Sequence, residues 1–141
     1  IRIEHREKRN PNRNHPAATP TIGPQSRYGG AVMWIFTESG FVSAVVNREN
    51  PDTLIVRSRD LPSIEPLAAT TNTKVITGAG ADYPHRIVCT RDQFTQWAND
   101  AIDAMSYGNF KSRVIQTRGH NFSDALMDVW SVMHNVEDVV R

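Results

Sequence analysis

One cysteine, Cys89, occurs in the 141 residues, so the chain offers neither a disulfide framework nor a thiolate cluster for zinc. No apolar run approaches the ~20 residues that a membrane-spanning helix needs, and the first thirty positions lack the apolar stretch of a secretory signal. These absences lead to the expectation of a soluble protein in the reducing cytoplasm, without membrane contact. His5, His15, His85, His120 and His134 are scattered without metal-ligand spacing, and neither HExxH nor CxxC occurs, so no metal and no cofactor is expected. A Gly-rich phosphate loop leading into a helix, an RNP-like aromatic pair on a central strand and a helix-turn-helix pattern are also missing, which leaves nucleic acid a weakly supported partner. Cys89 itself sits in the apolar run Ile87-Val88-Cys89 with no activating neighbour, and reads as a buried small apolar residue.

What is present divides at Met33. Residues 1–32 carry six Lys/Arg against Glu4 and Glu7, a charge of +4, and the rest carries ten Lys/Arg against thirteen Asp/Glu, a charge of −3. The basic character therefore belongs to the first segment. That segment also holds Pro11, Pro16, Pro20 and Pro24 and almost no large apolar side chains, so a flexible tail is expected there. Either it is a genuine extension or it lies upstream of a natural start at Met33, and the second reading is preferred. Residues 33–141 suffice for one domain with its own core.

From Met33 the patterning alternates between strand and helix. Met33 to Thr37 and Phe41 to Asn47 are β-branched and aromatic runs joined by Glu38-Ser39-Gly40, a hairpin signal. Thr53 to Arg59 forms a third strand after the turn Asn50-Pro51-Asp52, with Leu54, Val56 and Ser58 on one face and Ile55, Arg57 and Arg59 on the other. Asp60 or Ser63 is a candidate cap for a short helix to about Ala69, limited by Pro66. Lys74 to Thr77 and His85 to Thr90 read as strands about a Gly78 to Asp82 loop. Thr90-Arg91-Asp92-Gln93 has the form of a capping box, followed by Phe94, Trp97, Ala98, Ala101, Ile102 and Met105 on one helical face. A shorter helix is expected over Phe110 to Gln116. A last one, capped at Asn121 or Ser123, carries Phe122, Ala125, Leu126, Val129, Met133 and Val136 as a stripe. The order predicts an α+β fold, a mainly antiparallel sheet of about five strands with two to four helices on one face, and ferredoxin-like variants are the nearest common architecture.

The stretches Met33-Trp34-Ile35-Phe36-Thr37, Gly40-Phe41, Ala81-Asp82-Tyr83-Pro84-His85-Arg86, Tyr107-Gly108-Asn109-Phe110-Lys111 and Val129-Trp130-Ser131-Val132-Met133 together resemble a family of small uncharacterised bacterial and phage-encoded proteins. The resemblance spans most of Met33 to Val136. It implies a start at the Met-Trp pair and carries no activity to this chain. Pro62 and Pro66 depart from it where ordinary helix formers are expected.

Three groups of side chains are candidate sites. Arg57, Arg59 and Arg86 form a basic patch on the open side of the sheet, suited to an anionic ligand, although exposed strands also carry long charged side chains merely to stay soluble. Asp82, Tyr83, His85 and Arg86 bring together a carboxylate, an imidazole and a guanidinium, the weak candidates for catalysis. Tyr107, Asn109 and Lys111 occupy the connection between two helices, where a binding role competes with a cap at Asn109 and a solvated charge at Lys111. The leading expectation is a non-enzymatic binding or accessory module acting through a protein partner or an anionic ligand. The alternative is a small enzyme acting on a phosphorylated or nucleic-acid substrate through the Asp82 to Arg86 segment. Convergence of Asp82, His85 and Arg86 in a pocket favours the enzyme, and their dispersal favours binding.

Overall fold

A computed structural model describes residues 32–78 and 82–138. The basic segment before Val32 and the middle of the Gly78 to Asp82 loop lie outside these residues, so the expected flexible tail does too. Strands β1 (Met33–Thr37), β2 (Gly40–Val46) and β3 (Thr53–Ser58) precede helix α1 (Leu61–Thr71), strands β4 (Ile76–Thr77) and β5 (His85–Thr90), and helices α2 (Arg91–Asp103), α3 (Phe110–Arg118) and α4 (His120–His134). The five strands form one antiparallel sheet in the order β1-β2-β3-β5-β4, the α+β architecture that the patterning predicts. Likeness to a ferredoxin-like arrangement is confined to the layers, because the element order is not the β-α-β-β-α-β of that motif. No helix among the described residues is long and apolar enough to cross a membrane.

Strand alternation gives the sheet two different faces. On the first, Val42 and Ala44 of β2, Leu54 and Val56 of β3, and Ile87 and Cys89 of β5 pack against Ile64, Leu67 and Ala68 of α1 and Phe94 and Trp97 of α2. Ile64, Leu67, Val56 and Ile87 are completely buried. Thr90 closes the expected capping box reciprocally, its Oγ1 accepting from the Gln93 N–H at 3.2 Å while Gln93 Oε1 accepts from the Thr90 N–H at 2.8 Å. This turns the chain from β5 directly into α2, which lays Phe94 and Trp97, stacked at 5.4 Å, onto the core.

Several local expectations are corrected. Pro66 does not limit α1 but lies inside it, and Pro62 occupies the first turn, where a missing N–H costs nothing. Burial of Ile64, Leu67 and Ala68 offsets the ~3 kcal/mol penalty of an interior proline. The helix ends at Asn72 in the left-handed conformation (φ 50°), with Thr73 N–H bonded to the Ala68 carbonyl at 3.0 Å. β3 stops at Ser58, one residue before Arg59, and β4 is two residues instead of the four from Lys74. The cap of α4 is Gly119, not Asn121 or Ser123: its φ of 83° turns α3 into α4 in a single residue. The stripes of α2 and α4 are covered only in their first halves. Ile102 is 58% exposed, and Val129 and Met133 are exposed as well, while Met105 and Val136, expected on these stripes, lie past the ends of α2 and α4, because periodicity records an apolar side without recording what lies against it or where the helix stops.

Two predictions follow from the core. Trp97→Ala should lower unfolding free energy by ~3–5 kcal/mol, whereas Met105→Ala, just past the end of that helix, should change it by less than ~0.5 kcal/mol; denaturant melts of the two variants make the comparison. Cys89 provides a pH signature, since burial pushes its thiol from 9.0 up to about 11. The folded chain then keeps a proton that the unfolded chain loses, so this contribution is complete below about pH 9 and declines as pH rises toward 11. The denaturant midpoint of the wild type should fall faster than that of Cys89→Ala across this window, and the native thiol should resist labelling at neutral pH.

Candidate functional site

The second face of the sheet carries the chemistry. Register places Ser43 of β2, Arg57 of β3, Arg86 of β5 and Ile76 of β4 in one row across the strands. Arg57 and Arg86 are thus direct cross-strand partners, a like-charge pairing that destabilises a sheet unless other contacts hold it. Those contacts are present. Arg57 Nη2 donates to Ser43 Oγ at 3.1 Å, and its guanidinium lies 4.6 Å from the centre of the Tyr83 ring. Arg59 lies beyond the strand yet reaches the same ring at 5.0 Å, so one tyrosine gathers two cations. Arg113–Glu38 and Arg118–Asp60 are ion pairs, and among the described residues neither Arg57 nor Arg59 has a carboxylate partner. Arg57 Nε is buried and accepted by no oxygen among them.

Beside these arginines lies a cleft of about 460 Å³. Trp34 and Phe36 of β1 and Phe41 of β2 form one side, Phe122, Leu126 and Val129 of α4 the other, and Arg59, Asp60 and Tyr83 share its lining. Alternation along β1 sends Trp34 and Phe36 to the second face, and the register Phe36↔Phe41 brings the two phenylalanines together. Phe36 stacks on Phe41 at 4.7 Å, while Trp34 meets Phe41 edge to face at 5.5 Å and stays 62% exposed. These aromatics are absent from the expected site residues. The alternation of Met33 to Thr37 and the short Glu38-Ser39 turn are the signals that would have found them.

The helical side of the cleft is held in place by polar contacts to the β1–β2 turn. Arg113 Nε and Nη2 donate to the two carboxylate oxygens of Glu38 at 2.7 and 3.1 Å, and this pairing raises the Arg113 pKa further above its ordinary value. Thr117 Oγ1 donates to the Glu38 carbonyl at 2.8 Å. Arg118 bonds the Ser39 carbonyl, the Asp60 carboxylate and Ser63 Oγ, and its guanidinium lies 3.9 Å from the Phe122 ring centre. Asp60 holds the N-cap position of α1 without a side-chain cap bond, because its carboxylate serves Arg118. Ser63 Oγ also accepts from the Phe41 N–H at 3.1 Å.

The other expected residues are placed apart from this cleft. Asp82 is exposed, and His85 follows the opposite alternation to Arg86, its Nδ1 3.2 Å from Thr77 Oγ1. His85 and Arg86 therefore point to opposite faces of the sheet, and neither cleft is lined by Asp82, His85 or Arg86, although Tyr83 joins Arg57 and Arg59. Asn109 caps α3 by accepting from the Ser112 N–H at 2.9 Å, Lys111 is exposed, and Tyr107 leans against Phe110 at 6.1 Å. Tyr107 belongs to a second cleft, about 530 Å³, with Trp97, Ala101 and Ile102 of α2, Met105 just past its end, and Pro66 of α1. Its carboxylates are engaged, Glu38 with Arg113 and Asp100 with Gln96, which leaves few polar groups to orient a ligand. Among the described residues no three His, Cys, Asp or Glu side chains gather as a metal site.

A Cβ on Gly40 would overlap Ser63 Oγ and stand 2.7 Å from Arg118 Nη1. Gly40→Ala should therefore cost ~1–3 kcal/mol and loosen α3 and α4 more than the central strands. Hydrogen exchange resolved by peptide checks this, with the largest gain expected over residues 110–134.

Comparison of the chain with protein-family models, with curated proteins and with solved structures finds no match to any of them.

Proposed function

We propose that this chain is a non-enzymatic binding module that takes an anionic ligand on the second face of its sheet, through Arg57, Arg59 and Arg86. The observation that carries the reading is the gathering of Arg57 and Arg59 on the Tyr83 ring, with no carboxylate to neutralise either among the described residues. Guanidiniums kept side by side without counter-charges raise the local potential and attract anions. Asp60, the carboxylate closest in sequence, is occupied by Arg118 and so competes weakly for the arginines. The opposite facing of His85 and Arg86 on β5 favours this reading over the alternative, an enzyme that would need that segment's imidazole and guanidinium on one side.

Titration of the full chain with inorganic polyphosphate at low and moderate salt tests the reading. Binding should weaken as salt rises, since each anion contact displaces counterions. Arg57→Glu, Arg59→Glu and Arg86→Glu should each lower affinity by about ten-fold or more, and Arg48→Glu, in the turn between β2 and β3, should leave it within about two-fold of wild type. The basic residues before Met33 are common to all variants, so differences between them report the sheet face. Equal effects of Arg48 and Arg57 reversal would assign the binding to charge in general and refute the site.

A further inference from the structure

We infer that the ligand of this face is a single-stranded nucleic acid, with a base stacked on the Trp34 side of the cleft and the adjoining phosphates on Arg57 and Arg59; this rests on the anion-binding reading above. The cleft and the cationic patch are one continuous surface, because Arg59 and Tyr83 belong to both. An inorganic anion would use the arginines and leave the aromatic side idle. An acidic peptide would supply carboxylates, but no planar π-face repeating beside each charge. A single strand supplies both at every nucleotide, and base–aromatic stacking with a basic track is how such strands are held without sequence preference.

The geometry suits this occupant in three respects. Trp34 is edge to face with Phe41 and 62% exposed, so indole surface remains for a base. Phe36 is stacked on Phe41, and across the cleft Phe122 is covered by Arg118, which gives the cleft fixed sides that lose little entropy on binding. The pairing of Asp60 with Arg118 removes the charge that would repel a phosphate at the cleft. A duplex keeps its bases stacked inside the helix, where a cleft of this kind cannot reach them without unpairing.

The test uses the full chain with Trp130→Phe as background, since Trp130 is exposed on α4 and Trp97 is buried, which leaves Trp34 as the responsive indole. Oligothymidylate should quench its fluorescence saturably and bind about ten-fold or more tightly than inorganic polyphosphate of matched charge. Trp34→Ala should remove that advantage, Trp34→Phe should restore most of it, and polyphosphate affinity should be unchanged in both, with thermal melts confirming that all variants fold. Polyphosphate binding equal to oligothymidylate binding, with no effect of Trp34→Ala, would overturn the base contact and leave the anion site intact. Absence of salt-sensitive binding to any of the probes would overturn both. A duplex of the same length binding as tightly as the single strand, or polyglutamate binding more tightly than either, would also overturn the proposal.

Discussion

The arrangement of this protein turns on the guanidinium of Arg118. It reaches from the last turn of α3 to the Ser39 carbonyl in the β1–β2 turn and to Asp60 and Ser63 at the start of α1, while its face covers Phe122 of α4. Its side chain is only 13% exposed, and a cation removed from water is tolerated only when paired and hydrogen-bonded. The partners come from separate parts of the chain, so satisfying the charge requires the hairpin, the start of α1 and the α3–α4 pair to sit together. Gly40 follows from the same requirement, because a side chain there would occupy the space of Ser63 and Arg118. With α4 held in this way, Phe122, Leu126 and Val129 become one side of a cleft whose other side is sheet.

The two faces of the sheet then take different roles through the two-residue period of the strands. Val56 is completely buried in the first-face core, and the next residue, Arg57, belongs to the charged row. A direct Arg57–Arg86 pairing is unfavourable by a few tenths to about 1 kcal/mol. The Tyr83 ring and the Ser43 hydroxyl offset it, the first by a cation–π contact and the second by a hydrogen bond. Tyr83 itself is positioned where the chain enters β5, with the following Pro84 carbonyl accepting from the Gly78 N–H at 2.8 Å. The short β4–β5 pairing thus serves to bring an aromatic ring under two arginines.

Local signals made part of this legible. The alternation of Thr53 to Ser58, the capping box at Thr90 and the apolar setting of Cys89 each depend on neighbours in sequence, and each is found as expected. Strand alternation predicts the joining of Arg57 and Arg59, but β3 ends before Arg59, and the ring of Tyr83 is what unites them. That contact is tertiary and leaves no mark in a local window. The same holds for Pro66, whose cost is met by packing of Ile64 and Leu67, and for the second halves of α2 and α4, whose stripes look identical to their buried first halves. Trp34, Phe36 and Phe41 are a different case, since their alternation and hairpin pairing were available from the residues alone.

Because the core and the charged row lie on opposite faces, most side chains of the proposed site contribute little to the burial that stabilises the fold. Arg59 is exposed and Trp34 is largely so, and surface positions of this kind tolerate substitution within a few tenths of a kcal/mol. Ser43 is the exception. It is completely buried beneath Arg57 and accepts its hydrogen bond, so removing the arginine would leave that hydroxyl without this donor in a site closed to water. Part of any stability change at Arg57 therefore arises from Ser43, whereas a change at Arg59 involves its charge and its contact with the Tyr83 ring and leaves no buried hydroxyl behind. Agreement between the two arginines in binding, set beside their difference in stability, is what separates a ligand-contacting role from a structural one.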